Sequence, residues 1–279
     1  MLPSGQPHWV PQPPPPPSKN VAMELVGNGF NARLSDAISL DRNITDNRHP
    51  MCRKKTFDLH ALPKASVVIV SARADADAYT CDALQVFHQE YLSVLLRSVH
   101  SILNRYVYSV QQSTHYLIGP CSTPPEILHE IVLVDDASTH EWLKGPLDQH
   151  VSLLPKVKIV RLPRRSGLVV ARLRGIEEAT AEVFVVLDSH IEVQPQWLEP
   201  LLYRIAQDRR VVVMPMIDSI EQETFAQLNG GIGCTLGFLW SLVEHGIDVQ
   251  QKDKNSRRDE IDYTSSPTMV RATCDVVIH

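Results

Sequence analysis

Asp188, Ser189 and His190 are three polar residues that end the apolar run Val183–Leu187 in VFVVLDSHIEV (183–193). The length and β-branched composition of that run predict a strand buried on both faces of a mostly parallel sheet. Polar groups at the C-terminal end of such a strand stand where open α/β sheets bind ligands. Side chains two apart on extended chain share a side, so the Asp188 carboxylate and the His190 imidazole reach toward one point. A carboxylate and an imidazole are two ligands of a divalent metal, with positions left for substrate oxygens. An Asp-x-His triplet is more often an ordinary polar loop; its place at a strand end is what favours metal chemistry.

Other strand ends carry comparable groups. EIVLVDD (130–136) is an apolar run ending in Asp135 and Asp136, and VKIVRL (157–162) is a third strand, with Arg164, Arg165 and Arg172 shortly after it. Asp136 and Asp188 are expected to converge on one sheet edge. No glycine-rich phosphate loop of either common kind occurs, so a bound diphosphate would rely on a metal and on basic side chains. A solvated turn and helix face is the simpler reading of the three arginines.

The elements that must position these groups follow the order of an α/β fold. Ser66–Val70 is the first strand. Leu92–Arg105 reads as an amphipathic helix with Leu92, Leu95, Leu96, Val99, Ile102 and Leu103 on one face. Residues 106–125 read as a long irregular connection. Residues 167–182 read as a helix with Val169, Leu173 and Ile176 on one side. Residues 197–210 read as another, with Leu198, Leu201, Leu202 and Ile205 inward. Val211–Ile217 is a further strand. This alternation predicts a parallel sheet with crossover helices. Residues 1–20 are proline-rich and predicted to be disordered, and residues 21–62 irregular with one short helix.

The chain has 279 residues, 43% hydrophobic and 21% charged, with a formal net charge of -5. That composition is globular and disfavours nucleic acid as a partner. The five cysteines lack zinc-motif spacing. Asn43-Ile44-Thr45 is a glycosylation sequon, and no signal peptide or membrane anchor is visible in this chain.

The ordered blocks GNGFNARLSDAISLDRNITDNRHPMC (27–52), LPKASVVIV (62–70), FHQE (87–90), LLRSVHSILNR (95–105), PPEILHEIVLVDDAST (124–139), LPKVKIVRLPRRSGLVVARLRG (154–175), LDSHIEV (187–193), WLEPLL (197–202) and SPTM (266–269) resemble the catalytic region of the polypeptide N-acetylgalactosaminyltransferases. The resemblance implies an A-type, Rossmann-like glycosyltransferase domain over 63–269, incomplete at its C-terminus. It implies UDP-N-acetylgalactosamine (UDP-GalNAc) as donor, Mn2+ as cofactor and a protein Ser or Thr hydroxyl as acceptor. It further implies retention of configuration, initiation of O-glycosylation and the Golgi lumen as compartment. It assigns metal binding and catalysis to Asp188 and His190, and donor contacts to Asp136, Arg165, Asp188 and Ser189.

The chain departs from the family at 71–86 and 106–122, which read as insertions, and at 270–279, a divergent tail. The family's later histidine, its third metal ligand, is absent, as is the usual partner of Cys52. Two functions stay open: a transferase, or a truncated pseudoenzyme that at most binds UDP.

Overall fold

A computed structural model of the chain describes residues 29–48, 50–70, 90–117 and 127–228, the short strands 234–238, 244–248, 270–271 and 277–278, and positions 251 and 255. The proline-rich start and the 71–86 insertion lie outside the described residues.

Four parallel strands form the central sheet: β1 (Ala65–Ile69), β2 (Leu128–Asp135), β3 (Val157–Arg161) and β4 (Val183–Leu187), in the order β3-β2-β1-β4. Ile69 is level with Leu133 on one side and Leu187 on the other, and Asp135 is level with Arg161. The C-terminal ends of the strands therefore share one edge, as expected for Asp136 and Asp188. The chain runs outward through β1, β2 and β3, then returns to place β4 on the far side of β1. That reversal is a topological switch point, where open α/β sheets form ligand crevices.

Alternation along the strands feeds two cores. Val67, Ile69, Ile131 and Leu133 join the larger cluster. It also holds Leu95, Leu96, Val99 and Ile102 of the helix Leu92–Leu117 and Leu198, Leu201 and Leu202 at the start of the helix Glu199–Gln207. Val68, Val70, Val132 and Val134 face the other way and meet Ala171 of the helix Leu168–Glu178.

We label the helices α1 (Ala32–Ala37), α2 (Pro50–Arg53), α3 (Leu92–Leu117), α4 (Gly145–Val151), α5 (Leu168–Glu178) and α6 (Glu199–Gln207). Asn31 caps α1, its side-chain oxygen accepting the Leu34 N–H at 3.0 Å. The segment 29–48 holds this one short helix, as expected, and α2 adds a second turn at Pro50–Arg53.

Four expectations are corrected. The helix beginning at Leu92 does not end at Arg105 but continues to Leu117. No Gly or Pro interrupts 92–117, and Gly119 and Pro120 supply the first breakers. Second, β4 is not buried on both faces: within the described sheet it pairs only with β1, and Phe184 is 52% exposed. Third, α5 does not turn Val169 and Leu173 inward; they are 69% and 55% exposed. Its packing face is Ala171 and Gly175, and a β-carbon added at Gly175 would lie 2.4 Å from Val68 Cγ1 and 2.8 Å from Val134 Cγ2. Small residues let this helix sit close to the sheet, and the larger apolar ones face out. Fourth, the strand expected over 211–217 is two pieces, β5 (Val213–Met214) and β6 (Met216–Ile217), split by Pro215, which has no N–H to donate. They pair in parallel with the two-residue strands Val270–Arg271 and Val277–Ile278 inside the divergent tail.

Candidate active site

Asp188 and His190 leave the end of β4 beside the switch point. Neither is sealed in hydrocarbon: their side chains are 45% and 42% exposed. Ser189 between them is fully buried, as alternation on an extended segment requires.

Glu90, two residues before α3 begins, organises the group. Its Oε2 accepts the Ser189 hydroxyl and lies 3.4 Å from His190 Nδ1. Burial works to raise the Glu90 pKa, but the His190 ring and the Ser189 hydroxyl hold it down at about 2. Glu90 is therefore an anion. Burial works to lower the His190 pKa, yet Glu90 and then Asp188 raise it above its ordinary 6.5. A carboxylate on Nδ1 fixes the ring and leaves Nε2 as its ligating atom, an arrangement typical of metal-binding histidines. The donor set thus fits a divalent cation: one accessible carboxylate and one oriented imidazole. Among the described residues no group of three or more metal-ligating side chains converges.

Arg172 of α5 faces the same point. Its guanidinium lies 3.8 Å from Asp188 Oδ1. Its Nε is shielded from solvent and has no hydrogen-bond partner, while the side chain as a whole is 34% exposed, so the outer nitrogens are the ones an incoming anion can reach. Of the three arginines after β3, this one stands beside Asp188. Arg165 lies exposed on the loop between β3 and α5.

Asp136 has a different setting from Asp188. It is buried, and its two carboxylate oxygens accept the N–H groups of Ser166 at 2.7 Å and Gly167 at 2.8 Å. It thereby ties the end of β2 to the arginine-bearing loop and to the start of α5. Asp135 is engaged by Arg161 and accepts the Ser138 N–H at 2.8 Å. Between these contacts Ala137 adopts φ 56°, a left-handed conformation uncommon for a residue with a β-carbon.

The structure thus brings Asp188, Ser189 and His190 together with Glu90 and Arg172. Sequence reasoning gave no role to Glu90 and left Arg172 as a solvated helix residue. Glu90 was signalled only as the last residue of FHQE, and Arg172 by its place in the first turns after the loop.

A parallel sheet with a carboxylate, an imidazole and an arginine at its switch point is an α/β fold suited to an anionic ligand. Residues 85–266 match the family model described as "Glycosyl transferase family 2", and the chain belongs to that family. N-acetylgalactosaminyltransferase 6 of Drosophila melanogaster is 42% identical over 227 residues, 81% of this chain and 29% of that protein. Human polypeptide N-acetylgalactosaminyltransferase 10 is 38% identical over 243 residues, 87% of this chain and 34% of that protein. A crystal structure of GalNAc-T7 with UDP, GalNAc and Mn2+ superposes with a TM-score of 0.69 at 32% identity, covering 86% of this chain and 40% of that one. The A-type fold and the resemblance to polypeptide N-acetylgalactosaminyltransferases are both borne out. The chain spans about a third of the length of these curated relatives.

Proposed function

We propose that the chain carries the donor-binding half of a transfer of N-acetylgalactosamine from UDP-GalNAc to Ser or Thr hydroxyls of proteins. In this reading the transfer is Mn2+-dependent, retains configuration and initiates O-glycosylation in the Golgi lumen. The observation that carries it is the convergence of Asp188, His190 and Arg172 at the switch point.

Asp188 and His190 Nε2 would hold the metal ion, which supplies Lewis-acid neutralisation of the diphosphate. Glu90 keeps the His190 ring aimed and its Nδ1 protonated. The Arg172 guanidinium would meet negative charge as it grows on the departing diphosphate oxygens, in a site where such preorganised donors act strongly. Arg165 adds a second guanidinium from the loop that Asp136 anchors. Asp136 is proposed to serve the uridine side of the donor through the loop its buried carboxylate holds, and Ser189, itself buried, to support the site through its hydrogen bond to Glu90.

The test incubates the chain with UDP-GalNAc and a Thr-containing peptide, with Mn2+ or with chelator, and reads the peptide mass. The expected result is addition of one N-acetylhexosamine with Mn2+, lost with chelator and in Asp188→Ala. Equal addition in chelator contradicts the metal role. Donor binding without any transfer would reduce the assignment to a binding module, the reading of a truncated pseudoenzyme.

A further inference from the structure

The loop that carries His190 is pinned from behind by one helix. Ser98 of α3 is buried, and its hydroxyl donates to the Ser189 carbonyl at 2.7 Å. The same oxygen accepts the Ile191 N–H at 2.9 Å. One side chain therefore closes both backbone groups that flank His190. One helical turn on, Ser101 Oγ accepts the Val193 N–H at 3.2 Å, since residues three apart share a helix face. Beyond its end, β4 has lost its ladder with β1, whose last bond here is Val70 N–H to the Leu187 carbonyl at 3.0 Å. Buried peptide groups past that point need other partners, and Ser98 and Ser101 supply them.

The opposite, polar side of this seam is also fixed. Arg97 of α3 is 2% exposed and reaches Glu192 Oε1 at 3.4 Å, one residue beyond Ile191. The backbone at 189–193 is thus held at three points, and the Glu192 side chain at a fourth, by residues of one helix.

We infer that Ser98 is a positioning residue for the Asp188–His190 pair: its hydroxyl sets the backbone on either side of His190 and so the direction in which the imidazole is presented. The inference rests on the metal reading above. It separates two jobs: Glu90 fixes the rotation of the ring, and Ser98 fixes where its backbone stands. Outer groups that orient metal ligands characteristically alter metal affinity by about 10- to 100-fold when removed.

The test uses the full chain and Mn2+ alone, with free Mn2+ read by electron paramagnetic resonance and the Ile191 amide read by hydrogen exchange without metal. Ser98→Ala is expected to expose the Ile191 amide to exchange and to weaken Mn2+ binding by roughly ten-fold or more. Ser98→Thr, which keeps the hydroxyl, is expected to restore both, and Ser98→Val, which has the shape of the threonine variant without its hydroxyl, neither. Loss of Ile191 protection with Mn2+ affinity within two-fold of the parent overturns the inference. Should Ser98→Ala fail to fold, Ser101→Ala removes the weaker pin and is expected to lower Mn2+ affinity in the same direction; an unchanged affinity there overturns it equally. A parent chain that takes up Mn2+ without binding UDP would sink the transferase reading and leave the positioning role standing.

Discussion

Gly175→Ala is predicted to destabilise the fold, although alanine is the better helix former. In an exposed helix the exchange gains about 1 kcal/mol. At Gly175 the new β-carbon would stand 2.4 Å from Val68 Cγ1 and 2.8 Å from Val134 Cγ2. Carbon atoms rest at about 3.5–4.0 Å, so the helix must lift by roughly 1 Å. Both valines are fully buried on the central strands β1 and β2, and neither can swing aside without leaving its rotamer. Overpacking of this kind costs about 1–3 kcal/mol. The balance is a net loss of about 1 kcal/mol.

Urea unfolding of Gly175→Ala, Val68→Ala and the double variant measures it as a cycle. The double variant is expected to be more stable than the sum of the singles by roughly 1 kcal/mol, because the shortened Val68 vacates the space the new methyl needs. Gly175→Ala as stable as the parent, with no coupling, would refute the close-approach account. The lift also moves the start of α5, so exchange of the Ser166 and Gly167 amides held by Asp136 should quicken in the single variant.

Acid should weaken the packing of α3 on α4. His100 joins Asp41 Oδ1 at 2.8 Å through Nδ1 and His150 Nε2 at 2.8 Å through Nε2. Burial and then the His100 charge hold the His150 pKa down at about 4, against the pull of Asp41. The unfolded chain therefore takes up this proton first. The stability is present above pH 6.5 and is lost as pH falls toward 4. Its slope stays below the one-proton ceiling of ~1.4 kcal/mol per pH unit, because solvent screens a half-buried ring. His150→Gln should flatten melting temperature against pH across that window; an unchanged profile contradicts the assignment. Glu192→Gln removes the carboxylate shared by Arg42 at 2.7 Å and Arg97 at 3.4 Å. Stripping one partner from a buried pair costs about 3–5 kcal/mol, and a loss under 1 kcal/mol in urea unfolding would show that Phe225, beneath Arg97 at 5.3 Å, and Ser35, whose hydroxyl accepts from Arg97 at 2.6 Å, suffice to hold that charge.

The four central strands were legible because short β-branched runs suit a parallel sheet, although β4 stands at the end of the described sheet with Phe184 exposed. The place of Asp188 and His190 was legible because an apolar run that stops at polar residues marks a strand end. The packing face of α5 was not legible. Periodicity weights large apolar side chains, whereas this helix packs through Ala171 and Gly175 and leaves Val169 and Leu173 outward. The far half of α3 was missed because YVYSVQQSTHYL lacks a strong apolar stripe, although it also lacks any breaker. Glu90 and Ser98 were invisible as site residues for a different reason. Each meets the loop at 189–191 across 91 or more residues of chain, a proximity that only tertiary packing creates. Asp136 illustrates the converse: its position at the strand edge was foreseen, but its engagement with the Ser166 and Gly167 amides depends on the exact path of the loop.

Calorimetric titration of the full chain with UDP, in Mn2+ and in chelator, beside Asp188→Ala, tests the central claim most directly. The account predicts binding that requires Mn2+ and vanishes when the Asp188 carboxylate is removed. Equal UDP affinity with and without the metal, or in Asp188→Ala, would contradict it.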